Sequence, residues 1–167
     1  LAEQLVVAGL AHPPNPDFSW VKGDISRFKI RSPYALLVPG GAPHRPAKRW
    51  PVENFKKLAS LLVHEGIQPI IIGTRSELEI GDKVIGALEE GLNLAGQTSL
   101  EELFVLSRGA TCAIGNDNGP MHLFSAQDCS SVVLYSYASD PNLCAQRGSK
   151  VNILRRQDLA TLDVDDV

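Results

Sequence analysis

Three short segments concentrate residue types that can do chemistry, and each falls where an apolar run gives way to a turn. The most distinctive is Gly115-Asn116-Asp117-Asn118-Gly119-Pro120-Met121-His122. Asn, Asp and Gly permit a sharp, partly left-handed turn. Pro120 can then open a helix whose first amides point back into a cleft. There Asp117 can accept from sugar hydroxyls, Asn118 and Gly119 can donate to phosphate oxygens, and His122 falls in the first helical turn beside the same ligand. A well-made turn and N-cap would account for Asn118 and Gly119, but not for Asp, Asn and His crowding one helix start.

The second segment runs from Val38 to Pro51 and contains Gly40, Gly41, Ala42, Arg45, Lys48, Arg49 and Trp50. Adjacent glycines let the backbone approach a bulky anion, and free amides with cationic side chains are a phosphate-binding combination. No Gly-Lys-Ser/Thr follows, so this is not a Walker loop, and no Gly-x-Gly-x-x-Gly supports a nicotinamide site. A solvated basic turn is the competing reading. The third segment, Gly73-Thr74-Arg75-Ser76-Glu77, offers a carboxylate for two vicinal ribose hydroxyls. Glu77 could equally be a helix-dipole partner worth ~0.3–1 kcal/mol.

Other polar residues carry less. Cys112, Cys129 and Cys144 match no Cys-x-x-Cys pair and read as three reduced thiols. Asp163-Val164-Asp165-Asp166 has the look of a carboxylate pair for a metal, but a solvated acidic start to a last helix fits better. His12 and His64 have no partners at ligand spacing. Trp20 is expected to pack against the domain, and Trp50 to anchor the helix that begins at Pro51.

The elements that must position these residues follow from composition and periodicity. The chain has 167 residues, enough for one ordinary domain and cramped for two. Its 44% apolar and 21% charged content excludes a disordered or collagen-like polymer. A formal charge of -3 argues against a broad basic face for nucleic acid. No apolar run approaches the ~18–20 residues that span a bilayer. The chain starts without Met or a basic signal-like segment and is expected to be a piece of something longer.

Seven of the 11 prolines fall in the first 46 residues. After an amphipathic Leu1–Leu10, the stretch to Pro33 cannot sustain a helix or a central strand, and reads as a surface connector over residues 1–33. From residue 34 to 167 the pattern is regular. Ala35–Val38, Pro69–Ile72, Leu92–Leu94, Thr111–Ile114, Ser131–Tyr135 and Val151–Leu154 have the length of buried strands. Helical faces lie between the first five: Phe55, Leu58, Ala59 and Leu62; Ile80, Val84 and Leu88; Leu100, Leu103, Phe104 and Leu106. Ser76 with Glu79 and Ser99 with Glu102 have capping-box spacing, and Pro51 and Pro120 suit first helical positions. Strand alternating with helix predicts a doubly wound α/β domain with a parallel, Rossmann-like sheet.

In this order and spacing, PGGAPHRPAKRWP, IIIGTRSE, LNLAGQTSLEEL, GNDNGPMHL and YSYASDP resemble glycosyltransferase family 9, the heptosyltransferases of bacterial lipopolysaccharide assembly. The likeness runs from Tyr34 to Pro141, and Leu1–Pro33 resembles the stretch joining that family's two domains. The resemblance implies a GT-B enzyme whose downstream, donor-binding half is this chain, the upstream acceptor-binding domain being absent from it. It implies donor contacts at Gly40, Gly41, Ala42, Lys48, Glu77, Asp117, Asn118, Gly119 and His122. Lys48, Asp117 and His122 are the implied catalytic set, with Lys48 on the diphosphate, Glu77 on the ribose and Asp117 on the transferred sugar. Two positions depart from the family pattern: Asn118 replaces a usual Ser or Thr, and Ser136–Pro141 replaces a Gly-Pro-Thr-Asp-Pro-like element.

The same resemblance implies inverting transfer of heptose from ADP-heptose, without metal or other cofactor, to a lipid-linked saccharide reached through the upstream domain. The departing diphosphate would be stabilised by Lys48 and the helix start, while the base that deprotonates the acceptor belongs to the upstream domain, leaving this half inactive alone. Nucleic acid is not an implied partner. A cytoplasmic place is implied, and attachment to the inner face of the inner membrane stays open. So do two alternatives: a nucleotide-sugar epimerase of similar architecture and a non-catalytic nucleotide- or phosphosugar-binding module.

Overall fold

Six parallel strands form one sheet in the order β3-β2-β1-β4-β5-β6. They are β1 Tyr34–Val38, β2 Gln68–Ile71, β3 Leu92–Asn93, β4 Cys112–Asn116, β5 Ser131–Tyr135 and β6 Val151–Arg155. A computed structural model describes residues 17–167 together with Val6, Val7 and Gly9; His12 and most of the predicted Leu1–Leu10 stretch lie outside them. All six expected strands are present, Ser131–Tyr135 at its expected bounds and the others with ends moved by one or two residues. The order is that of the doubly wound Rossmann-like fold. Leu36 pairs with Ile70 on one side and Ala113 on the other, so β1 and β4 are neighbours at the point where the winding reverses.

Five helices connect or follow the strands: α1 Val52–His64, α2 Leu78–Ile85, α3 Leu100–Gly109, α4 Gly119–Ala126 and the short α5 Pro141–Cys144. Alternation along β1 divides the core in two. Leu36 joins Tyr34, Ile70, Leu106, Met121 and Phe124 on one face, whereas Leu37 joins Trp50, Phe55, Ile71, Val84 and Leu134 on the other. Both faces are therefore covered, as a parallel sheet requires. Gly115 allows close packing at the switch point, where a β-carbon would press on Val38 at 2.7 Å and Met121 at 2.9 Å.

Several local expectations are corrected. The Ser99–Glu102 capping box forms, with Ser99 N donating to Glu102 Oε2 at 2.8 Å and Glu102 N to Ser99 Oγ at 3.2 Å. The Ser76–Glu79 box does not, because a 3-10 turn at Arg75–Glu77 starts earlier and Thr74 boxes with Glu77 instead. Pro51 is the extended residue capping α1 rather than its first helical residue, and Pro120 is the second residue of α4. Leu88 falls beyond α2, which stops before Gly86 at a φ of 55°. Leu100 is exposed at the start of α3. The acidic tail does start a last helix, though one of 3-10 type and a single turn long: exposed Asp163 caps Val164–Asp166, whose Val164 is buried against the core.

Trp20 is 72% exposed, contrary to the packing expected of it. Its neighbours take the inner places: Val21 is buried, and the Phe18 ring lies 4.8 Å from that of Phe104. The segment from Asp17 to Pro33 is held on α3 by two arginines. Arg108 donates to the carbonyls of Phe18 at 2.5 Å and Val21 at 3.0 Å. Arg27 pairs with Glu102 at 2.9 Å while its guanidinium covers the Phe28 ring at 4.1 Å.

Candidate functional site

The loop after β1 is shaped from beneath and from the side. Gly40 is buried directly under Glu77, whose carboxylate occupies the place a β-carbon would need. Glu77 Oε1 accepts from Gly41 N at 2.8 Å, and Oε2 accepts from Thr74 N at 2.7 Å. The Gly41 amide, expected to face a ligand, is thus already committed to a side chain from the neighbouring loop. The three cations of the loop separate. Arg45 is exposed, Arg49 Nη2 donates to Gly41 O at 2.6 Å, and Lys48 turns toward β4.

Asn116, at the end of β4, ties this loop to the sheet; it lies within the Gly115–His122 segment, whose pattern assigns it no separate role. Its Oδ1 accepts from Trp50 N at 2.9 Å, while Nδ2 donates to Pro39 O at 2.8 Å and Gly40 O at 3.1 Å. Trp50 anchors α1 as expected: it is buried, and its indole N–H donates to Leu162 O at 3.0 Å.

Asp117 is the centre of the polar cluster. Lys48 Nζ lies 2.5 Å from Oδ2, and Ser139 Oγ donates to the same oxygen at 2.5 Å. Gln146 Nε2 donates to Oδ1 at 3.0 Å. The Tyr135 hydroxyl faces three acceptors, Asp117 Oδ1 at 3.0 Å, Cys144 O at 3.0 Å and Gln146 Oε1 at 2.8 Å, with one proton to serve them. Burial pushes the Asp117 carboxyl upward, but the Lys48 ammonium and the Ser139 and Gln146 donors outweigh it and hold the group below the usual carboxylate range. Burial, followed by the charge of Asp117, drives the Tyr135 phenol far above its ordinary value. His122 Nε2 stands 3.9 Å from Asp117 Oδ1, with half of its side chain exposed.

The start of α4 completes the arrangement. Asn118 is its N-cap and accepts from Met121 N at 3.4 Å through Oδ1. Its Nδ2 donates to Gly40 O at 3.2 Å, which ties the start of α4 to the loop after β1 and uses one of the two amide hydrogens. The amide of Gly119, the first residue of α4, is one of the four that a helix start leaves without an intrahelical acceptor. A pocket of about 460 Å³ opens beside it, between the carboxyl ends of the strands. Gly41, Ala42, Glu77, Asn118 and Gly119 line its polar side, and Val38, Ile72 and Leu103 contribute apolar wall. Lys48, Asp117 and His122 form the adjoining cluster rather than the lining.

The structure therefore brings together the residues singled out from the sequence, gives Thr74 and Asn116 of the same segments supporting roles, and adds Tyr135, Ser139 and Gln146. Ser139 belongs to the YSYASDP stretch already noted, whereas Gln146 carried no signal. Cys112, Cys129 and Cys144 are free thiols, as expected. Among the described residues no group of three or more His, Cys, Asp or Glu could hold a metal ion, and no helix is long and apolar enough to cross a membrane.

Fold and site define a Rossmann-like α/β domain with a pocket and a charged cluster at its switch point. The sequence profile of glycosyltransferase family 9 (heptosyltransferase) matches residues 12–165, and the chain belongs to that family. Lipopolysaccharide heptosyltransferase 2 of Salmonella typhimurium is 34% identical over 120 residues, covering 69% of this chain and 34% of the relative. The structure of the E. coli ADP-heptose lipopolysaccharide heptosyltransferase II superposes with a TM-score of 0.77 and 29% identity, covering 84% of this chain and 46% of that one. The E. coli heptosyltransferase WaaC with ADP shares the fold at a TM-score of 0.73 and 24% identity, over 84% of this chain and 45% of its own. The chain thus spans about a third of the length of the curated relative and under half of the solved structures it matches.

Proposed function

We propose that residues 34–167 are the donor-binding half of an inverting GT-B heptosyltransferase, joined through residues 1–33 to an acceptor-binding domain. The observation that carries this reading is the meeting of the Lys48 ammonium and the start of α4 at the end of β4, bordering the 460 Å³ pocket. Unpaired helix-start amides and a lysine are complementary to a diphosphate whose charge grows as it departs. The pocket's apolar wall suits a nucleobase, and Glu77 at its polar side suits a ribose. Asp117, with a carboxyl kept ionised at neutral pH, suits the hydroxyls of the transferred sugar, and His122 lies next to it. Gly40, Gly41, Ala42, Asn118 and Gly119 shape the backbone around the phosphates.

Likeness to an enzyme described as acting on ADP-heptose supports ADP-heptose as the donor. The acceptor would be a lipid-linked saccharide at the cytoplasmic face of the membrane, brought in by the upstream domain together with the base that deprotonates it. Calorimetric titration with ADP, UDP and an unrelated mononucleotide tests the reading. Selective ADP binding, weakened by Lys48→Ala, is expected. Equal affinity for all three ligands, unaffected by that substitution, would refute it. Turnover of ADP-heptose by the isolated chain would refute the placement of the base elsewhere.

A further inference from the structure

We propose that the Lys48–Asp117 pair makes this site discriminate between a bare nucleoside diphosphate and the same diphosphate carrying a sugar, holding off the first and admitting the second. The inference rests on the donor-binding reading and assigns a role to the pairing itself. Both side chains are largely buried, at 16% exposure for Lys48 and 5% for Asp117. The other hydrogen-bonding side chains on the Asp117 carboxylate among the described residues, Ser139, Gln146, Tyr135 and the more distant Cys144 thiol at 4.0 Å, bring no positive charge, and His122 stands off at 3.9 Å. Within hydrogen-bond distance, Lys48 is the one cation among the described residues that compensates the Asp117 charge.

A diphosphate that draws the ammonium toward itself leaves that carboxylate buried among neutral donors. Removing one partner of a buried pair is the costly case, because the other charge stays behind uncompensated. The incoming phosphates add like-charge repulsion. A sugar on the diphosphate changes the balance, since its hydroxyls can donate to Oδ2 where the ammonium stood, and hydrogen bonds to an ionised acceptor are the strong ones. The bare diphosphate brings no such donor. The intact donor therefore satisfies both halves of the separated pair, whereas the diphosphate left after transfer does not, and it departs more readily.

The test is a calorimetric cycle on wild type, Asp117→Asn, Lys48→Ala and the double variant, each titrated with ADP and with ADP-heptose at one pH and salt. Wild type is expected to bind ADP-heptose more tightly than ADP. Asp117→Asn is expected to bind ADP about tenfold more tightly than wild type, a difference of about 1.4 kcal/mol, and to lose the preference for the sugar. That gain must vanish when Lys48 is also replaced. If it persists undiminished in the Lys48→Ala background, removal of a nearby charge explains it and the pairing does not matter. Unchanged or weaker ADP binding by a folded Asp117→Asn, verified by its melting curve, overturns the proposal. The wild-type comparison stands whether or not a variant folds: equal affinity for the two ligands also overturns it. If Lys48→Ala weakens ADP binding and Asp117→Asn brings no gain, this inference fails and the donor site survives. If no form binds either ligand, both fail.

Discussion

Gly40 sits immediately beneath Glu77, with no room for even a methyl group between backbone and carboxylate. The contact joins the loop after β1 to the turn after β2, because the same carboxylate caps Gly41 and Thr74. Gly40→Ala must displace Glu77 and break those bonds. Overpacking of this kind costs about 1–3 kcal/mol, measurable as a lower urea midpoint at unchanged slope. Gly119→Ala is the control: a β-carbon there meets nothing within 4 Å, so a stability change within about 0.5 kcal/mol is expected. A large loss from Gly119→Ala, or none from Gly40→Ala, would contradict the packing described.

Asn116 gives a sharper case, because the chemistry of its amide decides the outcome. It accepts once, from Trp50, and donates to two carbonyls, those of Pro39 and Gly40. Asn116→Asp keeps the volume but turns a carboxylate oxygen toward two carbonyl oxygens. Leaving buried groups unsatisfied costs about 1–3 kcal/mol, more where a charge is involved. Asn116→Asp is therefore expected to be less stable at pH 7 than Asn116→Ala. The reverse order in denaturant unfolding would show that the loop is held by other means.

The difference between these two residues shows what a sequence can disclose. Strand positions and the helical faces that cover them follow from periodicity, so the sheet was legible before its order was known. The Ser99–Glu102 box was legible because both partners sit within one turn. Ser76 misled because Glu79 was not the carboxylate that mattered; Glu77 was drawn to Thr74 and to Gly41, 36 residues away in the chain. Asp117 announced itself through its crowded neighbours, but Ser139 and Gln146 reach it across 22 and 29 residues, which no local pattern encodes. Trp20 failed for a related reason. In a segment without periodicity, nothing distinguishes the inward side from the outward one.

Arg108 is expected to govern whether residues 17–33 stay on the domain. It is the donor to both Phe18 O and Val21 O, whereas Arg27 ties only its own part of the segment to α3 and the turn before it, through the Glu102 carboxylate and Gln97 O. Arg108→Ala should expose the Phe18–Val21 stretch to limited proteolysis at protein concentrations where wild type resists. Arg27→Ala should leave the cleavage rate nearly unchanged. Equal protection of both variants would mean that the Phe18–Phe104 contact suffices.

The pH dependence of stability follows from Asp117, whose carboxyl is held below its ordinary value of 3.8 once Lys48 and the neutral donors have outweighed burial. A depressed folded-state value means that the unfolded chain binds the proton first as pH falls. The contribution is therefore fully present above the unfolded value of 3.8 and is lost as pH descends through the lower folded value. Asp117→Asn removes this part of the acid slope, so its stability deficit at pH 7 should shrink as unfolding is repeated toward pH 3. Lys48→Met acts in the opposite sense. It strips the carboxylate of its counter-charge while leaving it buried, which raises the folded-state value and moves the loss of stability to higher pH. Urea unfolding of the three proteins across that range checks both signs, and parallel acid profiles for all of them would show that the Lys48–Asp117 pair contributes nothing to the folded state.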